Sequence, residues 1–325
     1  MQIYHINKSE EGQTLEKYVQ KALPSAPLSL IYKLFRKKDV KVNGHHEDRK
    51  FVISENDEIK VYLTDAQIEE FSKEKGFVPN LKIKDWIIYE DENVLFVNKP
   101  RGLLVIKSAP QDESLDQLVV EYLMAKGEYD PEKEKAFVPG PAHRLDRNTS
   151  GIVVFGKNHD TLELLFNLFK DHNLINKHYL ALVLGNIEKD KGNIKAPLKK
   201  DEATNTVVVA KDGKNAETVY RVEKRFKEYT LLDVTLLTGR THQIRVHMSY
   251  DGHPIVGDSK YGNFEANRIF KNVYHFNNQF LHAYKIGFGD LPYPLTNLSK
   301  KEFVAPLSEE MTSTLDALEK EENNL

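Results

Sequence analysis

The chain has 325 residues, 40% hydrophobic and 29% charged, with 46 Lys and Arg against 49 Asp and Glu for a net charge of -3. This is the composition of a globular protein with room for about two domains of roughly 150 residues, and it excludes a disordered chain or one that coats polyanions by bulk charge. With no cysteine, disulfides, thiolate metal sites and cysteine nucleophiles are excluded, which leaves carboxylates, His, Lys, Arg, Tyr, Ser or Thr to carry any chemistry. No run approaches the roughly 18 apolar residues of a membrane span, and Met1-Gln2-Ile3-Tyr4-His5 has no basic flank or apolar stretch, so a cytoplasmic location without membrane contact is expected.

In Thr14 to Ala22 the apolar Leu15, Tyr18, Val19 and Ala22 fall on one helical face, and Pro24 ends the helix. A second helix is predicted from Ser29 to Lys38, with Leu30, Ile31, Leu34 and Phe35 inward. Val40 and Val42 then form a strand before Asn43-Gly44, a strong hairpin signal, and Ile59, Val61 and Leu63 mark another strand. Between Lys33 and Lys50 there are seven Lys or Arg and three Asp or Glu, a local positive excess inside a negative chain. A solvated helix face accounts for such a run in general. Here the helix–helix–hairpin layout of residues 12 to 63, centred on Leu28 to Gly44, resembles the S4 RNA-binding domain. That resemblance implies an S4-like α/β domain over 1–63, contacting RNA through Lys33, Arg36, Lys37 and Lys38.

Residues 64–80 turn polar, with Gly76 and Pro79 near their end, and read as a linker. A larger domain is expected over 81–318. Its predicted strands are Trp86 to Tyr89, Val94 to Val97, Gly151 to Phe155, Tyr179 to Leu184, and the alternating Leu232, Val234 and Leu236. A helix capped by Asp160 should carry Leu162, Leu165, Phe166 and Phe169 on one buried face. Ser308 should cap a last helix presenting Met311, Leu315 and Leu318, before a fraying acidic tail over 319–325. Strands and helices interleaved irregularly indicate the α+β class.

Neither a Gly-x-x-x-x-Gly-Lys-Ser/Thr loop nor a Gly-x-Gly-x-x-Gly helix start is present, so no nucleotide cofactor is expected. His242 and His247 are five apart without the Glu of a His-Glu-x-x-His helix, so no metal is expected either. The segment dense in chemistry is His143-Arg144-Leu145-Asp146-Arg147-Asn148-Thr149-Ser150-Gly151, which runs into the apolar Ile152-Val153-Val154-Phe155. A carboxylate flanked by Arg144 and Arg147 is expected to be charged, and so to serve as a nucleophile or base. Asp146 standing alone would read as a turn cap, Tyr179 as a core tyrosine and Arg240 as a surface arginine.

That segment resembles the active-site signature of the RluA-type pseudouridine synthases, in which the aspartate is catalytic. Lys177-His178-Tyr179-Leu180-Ala181-Leu182-Val183 resembles the second motif, whose tyrosine stacks on the target base. Thr238-Gly239-Arg240-Thr241-His242-Gln243-Ile244-Arg245-Val246-His247 resembles the third, whose first arginine pairs with the aspartate. Gly252 to Gly262 and Leu281-His282-Ala283-Tyr284 also follow the pattern, whereas the segment after Lys99-Pro100 lacks the His-Pro of many relatives. The resemblance implies a pseudouridine synthase fold around a central mixed, mainly antiparallel sheet. It gives Asp146, Tyr179 and Arg240 catalytic roles and leaves His143, Thr149, His242, Gln243, Ile244 and Arg245 as support. Arg144 would fill the place of an everted base, with Arg147 also on the RNA. The partner implied is structured RNA bound by a monomer without cofactor. Within the family the helix from Ser29 to Lys37 resembles the RluC branch, which modifies large-subunit (23S) ribosomal RNA, with transfer RNA as the alternative. An inert RNA-binding protein and a base-releasing N-glycosidase are the competing functions.

Overall fold

The computed structural model describes residues 1–8, 10–24, 26–72, 81–109, 111–131, 133–134, 136–171 and 174–323. The chain divides into two units, Met1–Pro79 and Asn80–Leu325.

The first unit contains β1 (Gln2–His5), α1 (Leu15–Ala22), α2 (Leu28–Arg36), β2 (Val40–Val42), β3 (Glu58–Val61) and α3 (Asp65–Ser72). Leu15, Val19, Ile31 and Ile59 lie fully inside its core, which holds α1 and α2 on an antiparallel sheet ordered β1-β3-β2. Thr14 caps α1 by accepting from Lys17 N. α2 stops short of the predicted Lys38, which takes a left-handed conformation at φ 63°. Asn43 and Gly44 do make a tight turn, both at positive φ, and Val42 and His45 bond across it. No return strand follows directly, because the ladder partner of β2 is the later β3. The expected linker is helical over α3, since Thr64 and Gln67 form a capping box: Gln67 N donates to Thr64 Oγ1 and Thr64 N to Gln67 Oε1. Its remainder, 73–80, lies outside the described residues.

The second unit begins with β4 (Ile87–Glu90), β5 (Val94–Lys99), α4 (Leu115–Lys126), β6 (Gly140–Pro141), β7 (Ser150–Gly156) and α5 (His159–Asp171). It continues with β8 (Ile175–Leu184), β9 (Lys191–Lys195), β10 (Leu198–Asp201), β11 (Thr206–Val209), β12 (Glu217–Arg225) and β13 (Tyr229–Leu236). α6 (Gln243–Tyr250), α7 (Phe264–Tyr274), β14 (Leu281–Phe288), β15 (Glu302–Val304) and α8 (Glu309–Asn323) complete it. Among the described residues ten strands form one sheet with the path β4-β5-β7-β14-β8-β13-β12-β9, in which only the β7–β14 pair is parallel. This is the mixed, mainly antiparallel sheet of an α+β fold.

β7 is buried along its whole length and is sandwiched between two cores. Val154 and Ile152 face Phe96 and Phe288, and Val153 and Phe155 face Leu95 and Leu118. At its start, Gly151 has φ +115°, and a Cβ there would come 2.3 Å from Ala283 O of β14, so only glycine allows the two strands to meet.

Three local expectations are corrected. α5 starts at His159 and is capped by Asn158, whose Oδ1 accepts from Thr161 N, so Asp160 already lies inside the helix. Phe166 is not on the buried face. Leu165, Leu168 and Phe169 fill the core, and Phe166 faces outward at 51% exposure. Ser308 caps α8 as expected, but Glu319 to Asn323 remain helical, with Glu319 paired to Lys224 and Glu321 accepting from Tyr274 Oη. Asn324 and Leu325 of the expected tail lie outside the described residues.

Candidate active site

Asp146 stands on the loop between β6 and β7, and every turn of that loop is tied down. At its entry Ala142 N donates to Val154 O, and Val154 N donates to His143 Nε2. The His143 ring stacks on Phe169 with centroids 4.4 Å apart, and burial pushes the imidazole down to about 3, so it is the neutral acceptor this bond needs. Leu145 packs against the cores on both sides. Thr149 N closes a turn onto Asp146 O, and Thr149 Oγ1 accepts from Gln279.

Lys99, at the end of β5, adds the firmest tie. Its buried ammonium donates to the carbonyls of Pro100, Leu103 and Arg147, while Gly102 N also donates to Arg147 O. Burial pushes Lys99 down to about 7, opposed by the negative charge of Asp146. Sequence reading missed this residue, although a lysine ending an apolar strand just before a Pro-x-Gly turn is a signal of it.

The carboxylate has one strong partner. Arg245 Nη1 donates to Asp146 Oδ2 at 2.8 Å, and His242 Nε2 lies 3.8 Å from the same oxygen. Arg245 sits in the first turn of α6 and is itself clamped. Its Nε and Nη2 donate to Asp258 Oδ2 and Oδ1 at 2.6 and 3.0 Å, and Asp258 also accepts from Lys260 N and Tyr261 N. These bonds hold the Asp258 carboxyl below its ordinary range despite burial. The Tyr261 ring lies 5.0 Å from the Arg245 guanidinium, and its hydroxyl accepts from Val207 N and meets His242 Nδ1 at 2.7 Å.

The pairing expected of Arg240 therefore falls to Arg245. Arg240 is exposed, and its Nε donates to Asn215 O. It lies before α6, in a loop held by Gln243, whose Oε1 accepts from Arg240 N and Thr238 Oγ1 and whose Nε2 donates to Glu217 O and Thr218 Oγ1. Ile244 is buried in the core beneath Tyr179. Nor do Arg144 and Arg147 pair with the carboxylate between them. Both are exposed, Arg147 lies 3.6 Å from Asp112, and Arg144 has no polar partner among the described residues.

Tyr179, on β8, is 7% exposed and lines the same cleft as Asp146. Burial raises its phenol, with the Asp146 charge adding to the effect, so the hydroxyl keeps its proton. That hydroxyl makes no hydrogen bond among the described residues. The cleft has a volume of about 800 Å³, and Asp146, Tyr179, Arg245, His242 and Arg144 are all in its wall. Lys33, Arg36, Lys37 and Lys38 belong to the first unit, where all four are exposed and form no ion pair among the described residues. Among the described residues no group of His, Asp and Glu is placed to hold a metal, and no helix is long and apolar enough to cross a membrane.

A clamped carboxylate and a buried tyrosine share one cleft, roomy enough for a nucleoside, at the head of a mixed sheet. The chain belongs to the RNA pseudouridine synthases, isomerases of uridine in RNA, and the family described as RNA pseudouridylate synthase matches residues 93–250. Within that class it is similar over nearly its whole length to proteins named ribosomal large subunit pseudouridine synthase C. That of Haemophilus ducreyi is 34% identical, covering 99% of this chain and 97% of its own. That of Vibrio vulnificus is 32% identical, covering 98% and 96%. The solved structure of human RNA pseudouridylate synthase domain containing 4 shares the fold, with a TM-score of 0.59 at 22% identity over 75% of this chain and 97% of that one.

Proposed function

We propose that this enzyme converts uridine to pseudouridine in large-subunit (23S) ribosomal RNA, with Asp146 as the reacting group. The ion pair of Asp146 with Arg245, in one cleft with Tyr179, carries the reading. Isomerisation breaks the bond from C1′ to N1, turns the uracil over, joins C5 to C1′, removes the C5 proton to solvent and leaves N1 carrying a proton taken from solvent, so the composition of the RNA is unchanged. One carboxylate serves either by attacking C1′, as a retaining glycosidase nucleophile does, or by taking the C2′ proton to open a glycal route. Arg245 fixes the orientation of the carboxylate, and Tyr179 gives the uracil an aromatic face.

The target base must leave its stack to enter the cleft, and Arg144, exposed on the cleft wall and without a polar partner among the described residues, fills the gap. Lys33 and Arg36 of α2, with Lys37 and Lys38 just beyond it, supply phosphate contacts in an S4-like first unit, and the enzyme acts as a monomer in the cytoplasm. The ribosomal target is supported by the similarity to synthases named for the large subunit.

The purified protein is expected to release tritium from uridine labelled at C5 in transcribed 23S rRNA without added metal or nucleotide. Asp146→Asn should abolish release while RNA binding persists, and substantial turnover by that variant would remove Asp146 from the chemistry. Pseudouridine mapping in cells lacking the protein should show uridines restored in 23S rRNA, and their appearance in transfer RNA alone would move the assignment there.

A further inference from the structure

Phe166 is the one large apolar side chain of α5 that its helical spacing would bury and that the structure leaves in water. Leu165 and Phe169 on either side of it enter the core, while Phe166 projects into the cleft wall. An exposed ring at the mouth of a cleft loses the stabilisation of burial unless a ligand covers it. Lys170, one turn further along α5, lines the same wall, is exposed and forms no ion pair among the described residues. Arg144 adds to the cleft a second cation that forms no ion pair among the described residues. An aromatic face with cations set around it is what binds single-stranded nucleic acid, the ring taking a base and the cations taking phosphates.

We infer that Phe166 and Lys170 form a stacking subsite for the nucleotide next to the target uridine, with the ring taking its base and the lysine its phosphate. The inference rests on Asp146 being the reacting centre. Everting the uridine strips its neighbour of a stacking partner, and a ring in the same cleft replaces it. A nucleobase is the occupant because the exposed aromatic ring is bordered by cations and continuous with the cleft that holds Asp146 and Tyr179.

The test uses a synthetic stem–loop carrying the uridine that mapping identifies, either intact or abasic at its 5′ or its 3′ neighbour. Affinity is measured in the Asp146→Asn background, so that RNA is not consumed. Phe166→Ala is expected to weaken the intact RNA about tenfold, and Phe166→Trp to bind it as the parent does. With one of the two abasic RNAs, the parent and Phe166→Ala should bind equally weakly. No loss on the intact RNA, an equal loss on all three RNAs, or failure of the tryptophan to restore affinity would overturn the subsite. Turnover of the intact RNA by protein with Asp146 in place is followed in parallel. Its absence would refute the catalytic reading alone and leave the binding comparison readable.

Discussion

Three N–H groups of Arg245 are committed to carboxylates, two to Asp258 and one to Asp146. Deleting the guanidinium would leave Asp258 buried without its counter-charge, a loss of about 3–5 kcal/mol of the kind seen when buried ion pairs are broken. Arg245→Lys is the better kinetic probe, because it keeps the charge but cannot span both carboxylates. Its kcat should fall about a hundredfold, a misplacement effect, whereas Arg240→Ala should stay within about twofold of the parent, since the Arg240 side chain, although in the cleft wall, bonds a backbone carbonyl and not Asp146. A crippled Arg240→Ala beside an active Arg245→Lys would return the role to Arg240. The correct arginine was legible in principle. Arg245 lies between Ile244 and Val246 in a helix buried from Gln243 to Met248, and a buried arginine requires a carboxylate, whereas Arg240 sits among Gly and Thr in a loop. Motif order favoured the first arginine, and burial decided for the second.

At the scale of elements, strands that run apolar for four or more residues could be read directly, because burial on both faces leaves no other reason for Val94 to Val97 or Ile152 to Phe155. Short or polar elements were harder. β1 is only four residues long and half exposed, and α3 hid in a polar stretch despite its capping box. Partners distant in sequence could not be read at all, and the β7–β14 pair shows why. His282 Nδ1 lies 2.8 Å from Ser150 Oγ and its Nε2 donates to Ala305 O, across β7, β14 and the segment before α8. Burial pushes His282 down to about 4 from an ordinary 6.5. The unfolded chain therefore binds the extra proton between those values, and the stability this histidine contributes is complete above pH 6.5 and is lost as pH falls toward 4. Urea unfolding at pH 5 should show a loss on the order of 2 kcal/mol relative to pH 8 from this group. His282→Gln, though less stable overall, should flatten that slope, and an unchanged slope would place the acid sensitivity elsewhere.

Across the whole molecule, the proposed chemistry belongs to one unit and part of the proposed RNA contact to the other. Asp146, Tyr179 and Arg245 lie in the second unit, the last two nearly buried, while Lys33, Arg36 and Lys37, in and just after α2 of the first unit, are exposed and form no ion pair among the described residues. The triple change Lys33→Glu, Arg36→Glu and Lys37→Glu, made in the full chain, should weaken RNA binding and lower the slope of log affinity against log salt by about 2. The kcat at saturating RNA should hold. A variant with unchanged affinity would show that α2 does not meet RNA. Composition could report only that these charges are local, since the net charge of -3 conceals them.

The clamp on Arg245 has one more effect. A polyanion threading a cleft competes for every mobile cation on its path, and an arginine on a flexible tether would swing toward the phosphates. Asp258, itself anchored by two backbone amides, denies Arg245 that freedom. The guanidinium is thereby held on Asp146 by the protein's own charges, so its position does not depend on where the phosphates of a bound strand lie.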